Sequence, residues 1–176
     1  YVPPGRFLEA LGTLKEGELF DWKCSDCIFA HQEFQGAKMG AIISEEGDEW
    51  KLDLPLVVSG HIHDYDRLQT NVIYTGTPIQ HAFGDRSDKT VSIFTFNHLE
   101  SLSKTKIDDS HSLKRWKEER IDLQLPKKII IRIGFKEIDS TSIPENCEVK
   151  IIISGNTSEI KTSCKLSKIK KWNTMG

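Results

Sequence analysis

The sequence predicts a mixed α/β (α+β) chain in which a layered, sandwich-type sheet is followed by a smaller, incomplete β-β-α unit. Three observations carry that expectation. Short apolar bursts bounded by Gly, Pro, Asp and Asn recur through residues 27–97 with little helical spacing between them. From Pro126 onward the pattern changes to two long strand-like runs and then a helix-like run. The charge changes too: residues 1–100 hold 8 Lys+Arg against 16 Asp+Glu, and residues 101–176 hold 16 against 10. Two segments with different surroundings follow from that polarity. The basic second part suits nucleic acid, and equally a solvated surface.

Taken in order, "GRFLEALGTL" places Phe7, Leu8, Leu11 and Leu14 at helical spacing behind Pro3 and Pro4, which predicts a short amphipathic helix. "CIFAH" (27–31), "GAIIS" (40–44), "LPLVVSG" (54–60), "NVIYTGTP" (71–78) and "TVSIFTFN" (90–97) are apolar or alternating and read as strands. The polar stretch after Asn97 breaks this rhythm and reads as linker, with "LKRWKEERI" as a short charged helix. Beyond Pro126, "KKIIIRIGFKEI" and "EVKIIISG" are strands. "NTSEIKTSCKLSKIKKW" is a helix that Asn156, Thr157 or Ser158 can cap, with Glu159 in its first turn. The expected organisation is a first domain over residues 1–97, a linker over 98–125 and a small second domain over 126–176. A helix on two strands is thin cover, and "YVPPGRF" reads as mid-protein sequence, so both ends are expected to be internal.

Cys24, Cys27, Cys147 and Cys164 are too few for a disulfide framework and point to a reducing, intracellular setting. Cys24 and Cys27 form a C-x-x-C, but no second pair lies nearby to complete a zinc site. No apolar run is long enough to span a bilayer, so no membrane partner is expected.

The chemistry is concentrated in "VVSGHIHDYDRL", residues 57–68. On an extended segment residues 61 and 63 project the same way, so His61 and His63 can reach one site together. Gly60 lets the backbone turn or approach closely without a Cβ in the way. If the strand ending at His31 is a parallel neighbour, a third imidazole arrives at the same sheet edge. Three converging imidazoles argue for a divalent transition metal. Taken singly, each histidine is better explained by a structural role than by a ligating one.

"FAHQEFQGAKMG", "VVSGHIHDYDRL" and "VIYTGTPIQHAFGD" in this order resemble the C-terminal half of the calcineurin-like metallophosphoesterases. Within that superfamily the chain looks most like the SbcD-type double-strand-break repair nucleases. The segment after residue 126 is similar to part of their small capping domain. The resemblance implies a partial metallophosphoesterase β-sandwich layered with helices, and DNA as substrate. It also implies a site for two divalent ions, Mn2+ in these nucleases, with His31 and His61 on one and His63 on the other. An SbcC-type ATPase subunit and a homodimer of the full-length protein are the implied partners.

Gln32, Asp64, Asp66 and His81 are candidates for orienting the ligands or touching substrate, and Glu33 and Gln80 lie beside them. Lys165, Lys168, Lys170 and Lys171 are candidate DNA contacts on the last helix. The superfamily also needs D-x-H, G-D-x-x-[DN] and G-N-H-[DE] upstream of His31, and none stands there. Three neutral imidazoles cannot offset the repulsion of two dications about 4 Å apart. The chain alone is therefore expected neither to assemble the metal pair nor to cleave DNA, and no catalytic residue is assigned within it. "GDRSD" (84–88), "FNHLE" (96–100) and "DSH" (109–111) mimic the absent motifs in the wrong order. The alternatives are another phosphoesterase acting on nucleotides or phosphoproteins, and a non-catalytic remnant whose histidines are structural.

Overall fold

The computed structural model describes residues 2–13, 21–96 and 116–173. They fall into two compact units, residues 1–78 with 88–123, and residues 79–87 with 124–176. The fold is mixed α/β.

In the first unit, Phe7, Leu8 and Leu11 do form a helix, α1 (Phe7–Gly12). Leu14 lies outside the described residues. Arg6 offers α1 no side-chain cap, and the need is met from elsewhere: Phe7 N and Leu8 N donate to the two carboxylate oxygens of buried Asp48 at 2.8 and 3.2 Å. Four strands form the main sheet: β1 (Cys27–Ala30), β4 (Leu56–Ser59), β5 (Asp66–Gln69) and β6 (Val72–Tyr74), in the order β1-β4-β6-β5. The pairs β1·β4 and β4·β6 are parallel and β5·β6 is antiparallel. A small hairpin joins β2 (Lys38–Met39) to β3 (Ile42–Ile43).

Strands β4 and β6 are buried along their whole length because both sheet faces are covered. On one face Val57, Val72 and Tyr74 meet Phe34, Trp50 and the apolar side of α1. On the other face Leu56, Val58 and Ile73 meet Phe94, Phe96 and Trp116. Those last residues come from an antiparallel ribbon of β7 (Val91–Phe96) and β8 (Trp116–Ile121).

Strand β8 corrects the charged helix expected over "LKRWKEERI". Alternation along the strand turns Trp116 and Glu118 inward, and the Glu118 side chain is only 4% exposed. Its carboxylate accepts from Tyr65 Oη, Arg67 Nη2 and Ser92 Oγ at 2.9, 2.7 and 2.8 Å, so a charge that reads as solvated is buried and satisfied. The expected linker over 98–125 is corrected to the same extent: residues 98–115 lie outside the described residues, while 116–121 belong to a paired strand.

The second unit pairs β9 (Lys127–Gly134) with β10 (Cys147–Ser154) in parallel, in register from Lys127↔Cys147 to Gly134↔Ser154. Burial alternates along β10, as expected for a strand with one covered face. The single helix expected after it is two, α2 (Thr157–Ser163) and α3 (Ser167–Asn173). Asn156 and Glu159 close a reciprocal capping box on α2 at 3.0 and 2.8 Å. Gln80 ties residues 79–87 to β9: its side-chain amide donates to Lys128 O and accepts from Lys128 N at 3.1 and 2.8 Å.

Candidate functional site: histidines at the carboxyl end of a parallel sheet

Parallel pairing in register fixes where the functional residues fall. Ala30 lies beside Ser59, and Ser59 beside Tyr74, so β1, β4 and β6 end level with one another. His31, Gly60 and Thr75 follow them at the carboxyl edge of the sheet, where open α/β sheets place their ligands. Ser59 joins the two strand ends: its hydroxyl donates to Gln32 O at 2.9 Å and accepts from Gln32 N at 3.0 Å. Gly60 N adds a bond to Ala30 O at 2.9 Å.

This edge brings His31 and His61 together. Their ring centroids are 5.4 Å apart with the planes at 80°, and both residues are exposed. Gly60 is required by that approach, since a Cβ there would stand 2.7 Å from His31 Nδ1. Glu33 adds a carboxylate oxygen 3.9 Å from His61 Nε2.

The local backbone differs from the extended segment expected at residues 60–63. β4 stops at Ser59, and Ile62 N bonds back to Gly60 O at 3.0 Å across His61, whose φ is +74°. This is a three-residue turn in the left-handed region. Alternation of exposure survives it, with Ile62 buried in the aromatic core between exposed His61 and His63. The shared direction of His61 and His63 on a strand is therefore not the device that builds the site. Ile62 is instead the anchor that holds a turn against the sheet.

His63 is held through its backbone. Its carbonyl accepts from Thr77 N at 3.1 Å, from Thr77 Oγ1 at 3.3 Å and from Lys89 Nζ at 2.7 Å. Lys89 also donates to Asp64 Oδ1 at 2.9 Å, so this carboxylate has an ammonium partner. Gln32 is occupied by the Ser59 bonds and by a bond from its Nε2 to Val2 O at 3.3 Å. Asp66 stands in β5 opposite Tyr74. His81 belongs to the other unit, where its backbone N–H donates to Asp85 Oδ2 at 2.8 Å. The same oxygen accepts from Ala82 N at 3.1 Å, so Asp85 of the "GDRSD" look-alike stabilises a turn. Most of "FNHLE" and all of "DSH" lie outside the described residues.

Among the described residues no group of three His, Cys, Asp or Glu side chains stands in a metal-holding arrangement. The chemistry of the donors nevertheless suits part of one: two imidazoles and a carboxylate share an exposed edge, two of them from adjacent strand ends. The C-x-x-C has no such character. All four cysteines are free, and burial pushes the Cys27 thiol up to about 11, away from the thiolate a metal or redox role needs.

The lysine candidates separate. Lys165 leaves α2, whereas Lys168, Lys170 and Lys171 lie on α3. Lys168 and Lys171 line a groove of about 500 Å³ with Thr141, Ser142, Ser167 and Trp172. Lys168 Nζ donates to Asp139 O at 2.6 Å and sits 5.4 Å from the Trp172 ring centroid. Lys89 is the residue sequence reasoning missed: a single lysine before an apolar run carries no signal. Among the described residues no helix is long and apolar enough to cross a membrane.

No protein-family model matches the chain. It is 41% identical over 167 residues to "Putative phosphoesterase 244L" of Invertebrate iridescent virus 6, covering 92% of this chain and 53% of that protein. It is 44% identical over 164 residues to "Putative phosphoesterase 078R" of Invertebrate iridescent virus 3, covering 90% of this chain and 42% of that protein. The chain thus spans about half the length of the curated relatives it matches. Both relatives carry the name phosphoesterase.

Proposed function

We propose that this chain is the C-terminal portion of a calcineurin-like metallophosphoesterase of the SbcD type, a divalent-metal-dependent nuclease of DNA repair. The observation that carries the reading is the pairing of His31 and His61, 5.4 Å between ring centroids, at the carboxyl ends of two adjacent parallel strands. Under it, His31 and His61 would hold one ion and His63 the other, with manganese as the metal. Such ions, when bound, would supply Lewis-acid charge at the phosphodiester and would acidify a water. The chain's own part is to present imidazoles at the sheet edge and to keep Glu33 within reach of His61.

The acidic ligands and the histidine that protonates the leaving group come, in this reading, from sequence outside the chain. Lys168 and Lys171, with Lys165 and Lys170, meet the phosphate backbone, and an SbcC-type ATPase subunit and a second copy of the full-length protein are partners inside the cell.

Manganese titration of the full-length protein, with release of nucleotides from linear DNA measured alongside, tests this. His31→Ala and His61→Ala are each expected to weaken manganese binding at least tenfold and to abolish cleavage. Unchanged affinity in both variants would leave the histidines structural and favour a non-catalytic module. Intact affinity with hydrolysis of nucleotides or phosphoproteins but not DNA would move the assignment to another phosphoesterase.

A further inference from the structure

The two edges of the main sheet are built differently. β5, at one end of the order β1-β4-β6-β5, reads Asp-Arg-Leu-Gln, runs antiparallel to its neighbour and is broken by a register shift between Arg67 and Gln69. Charged side chains and an irregularity are what natural sheets use to keep an edge from recruiting another strand. β1, at the other end, reads Cys-Ile-Phe-Ala and pairs in unbroken register from Cys27↔Leu56 to Ala30↔Ser59. It carries no charge, proline or bulge, and among the described residues β4 is its single neighbour.

The cover over β1 stops short as well. Register sets Phe29 beside Val58 and Val58 beside Ile73, so these side chains share one face of the sheet. On that face Val58 is 6% exposed in the cluster with Phe94, Phe96 and Trp116, whereas Phe29 is 73% exposed. Parallel strands are ordinarily covered on both faces, as β4 and β6 are. The backbone points the same way. Gly60 N donates to Ala30 O, which turns the peptide groups of Ala30 toward β4. Those groups alternate in side along a strand, so the N–H and C=O of Phe29 face the open edge.

We propose that the β1 edge is the docking surface for an extended segment of the same polypeptide that lies outside residues 1–176. The segment adds a strand along Cys27–Ala30, takes up the N–H and C=O of Phe29 and brings apolar side chains over the Phe29 ring. The length of the relatives argues for this occupant. The chain accounts for 53% and 42% of them, which leaves in each ample sequence for a strand and its cover. The inference rests on that part of the reading above which makes the chain a portion of a longer protein, and it makes no use of a metal.

Hydroxyl-radical footprinting of the full-length protein without metal tests it, the oxidation rate of Phe29 being read against the same residue in denaturant, with hydrogen exchange at the Phe29 amide measured alongside. Protection of about tenfold or more is expected at both ring and amide. A ring rate within about twofold of the denatured value shows an open edge and overturns the proposal. A protected ring above a fast-exchanging amide means cover without a strand, and overturns the pairing. Protection that disappears on dilution, as size exclusion follows a dimer to monomers, gives the edge to a second copy and overturns the choice of occupant. Phe29→Lys places on β1 the kind of charge that blocks strand addition, and it is expected to lower the melting temperature of the full-length protein by several degrees. An unchanged melting temperature counts against the proposal, because an open edge accepts a lysine without loss. Should Phe29→Lys fail to fold, footprinting of the parent decides. Manganese enters none of these readouts, so failure of the metal reading and failure of this inference are separate results.

Discussion

Strands β4 and β10 both pair in parallel and both are rich in aliphatic residues, yet they are buried to different depths. Leu56, Val57, Val58 and Ser59 of β4 range from 0 to 6% exposed. Along β10, half-buried and exposed residues alternate, and Ile152 is 39% exposed. The difference is in the surroundings. β4 has a strand on either side, α1 and aromatic side chains on one face and the β7·β8 ribbon on the other. β10 pairs with β9 alone, and the face carrying Val149, Ile151 and Ile153 lines a groove with Ile169 and Trp172 of α3. Apolar composition makes a strand, but the number of covered faces decides how much each side chain contributes to stability.

The sharpest way to break the comparison is Ile73→Ala, at a position fully enclosed between the main sheet and the ribbon. A loss of about 4 kcal/mol is expected from transfer and cavity terms together, measured by denaturant unfolding. A loss below about 1 kcal/mol would mean that this core collapses around the gap.

Tyr74→Phe comes next. Tyr74 Oη accepts from Phe34 N at 2.9 Å inside the same core, so the variant strands a buried N–H at a cost of about 2 kcal/mol. The hydroxyl also gives the parent a pH signature. Burial first of all pushes the Tyr74 phenol up to about 12, while an unfolded tyrosine ionises near 10. The unfolded chain then gives up its proton first. This contribution is complete below about pH 10 and is lost as pH rises through about 12, and Tyr74→Phe should flatten that part of the stability curve.

A smaller effect on stability and a larger one on binding are expected of Gly60→Ala. The new methyl meets the His31 ring at 2.7 Å, and an exposed ring can swing aside, so melting should change by less than about 1 kcal/mol. If the proposed metal site forms, manganese affinity should drop nonetheless, because the His31–His61 spacing depends on the missing Cβ. The smallest effect belongs to Ile152→Ala on the open side of β10, expected within about 0.5 kcal/mol of the parent. A cost like that of Ile73→Ala would show that something covers this face.

Much of the fold was legible because it is written in local pattern. The strand runs at 27–30, 56–59, 72–74 and 91–96 carry their own apolar bursts, and the Asn156–Glu159 box carries its own spacing. β5 reads Asp-Arg-Leu-Gln and escaped notice, since an antiparallel edge strand needs few apolar residues. In the site, His31 and His61 were legible as strand-end residues, and their approach follows from the parallel register of β1 and β4. The Lys89 bonds to Asp64 and His63 were not legible, because these partners lie 25 and 26 residues away in sequence.

By itself the sequence determined which segments are strands with apolar faces, where α2 begins, and that histidines terminate two of the strands. Only the tertiary structure decided that "WKEERI" is a strand, since the pull on Glu118 comes from Tyr65, Arg67 and Ser92 and not from its neighbours. It alone also set His61 at φ +74°, turned Asp64 toward a buried ammonium and left Lys165 in the turn between α2 and α3, apart from the lysines of α3. Periodicity and caps act within a few residues and survive in the order of the amino acids. Burial of a charge, or a turn held by a distant side chain, depends on groups that only folding brings together.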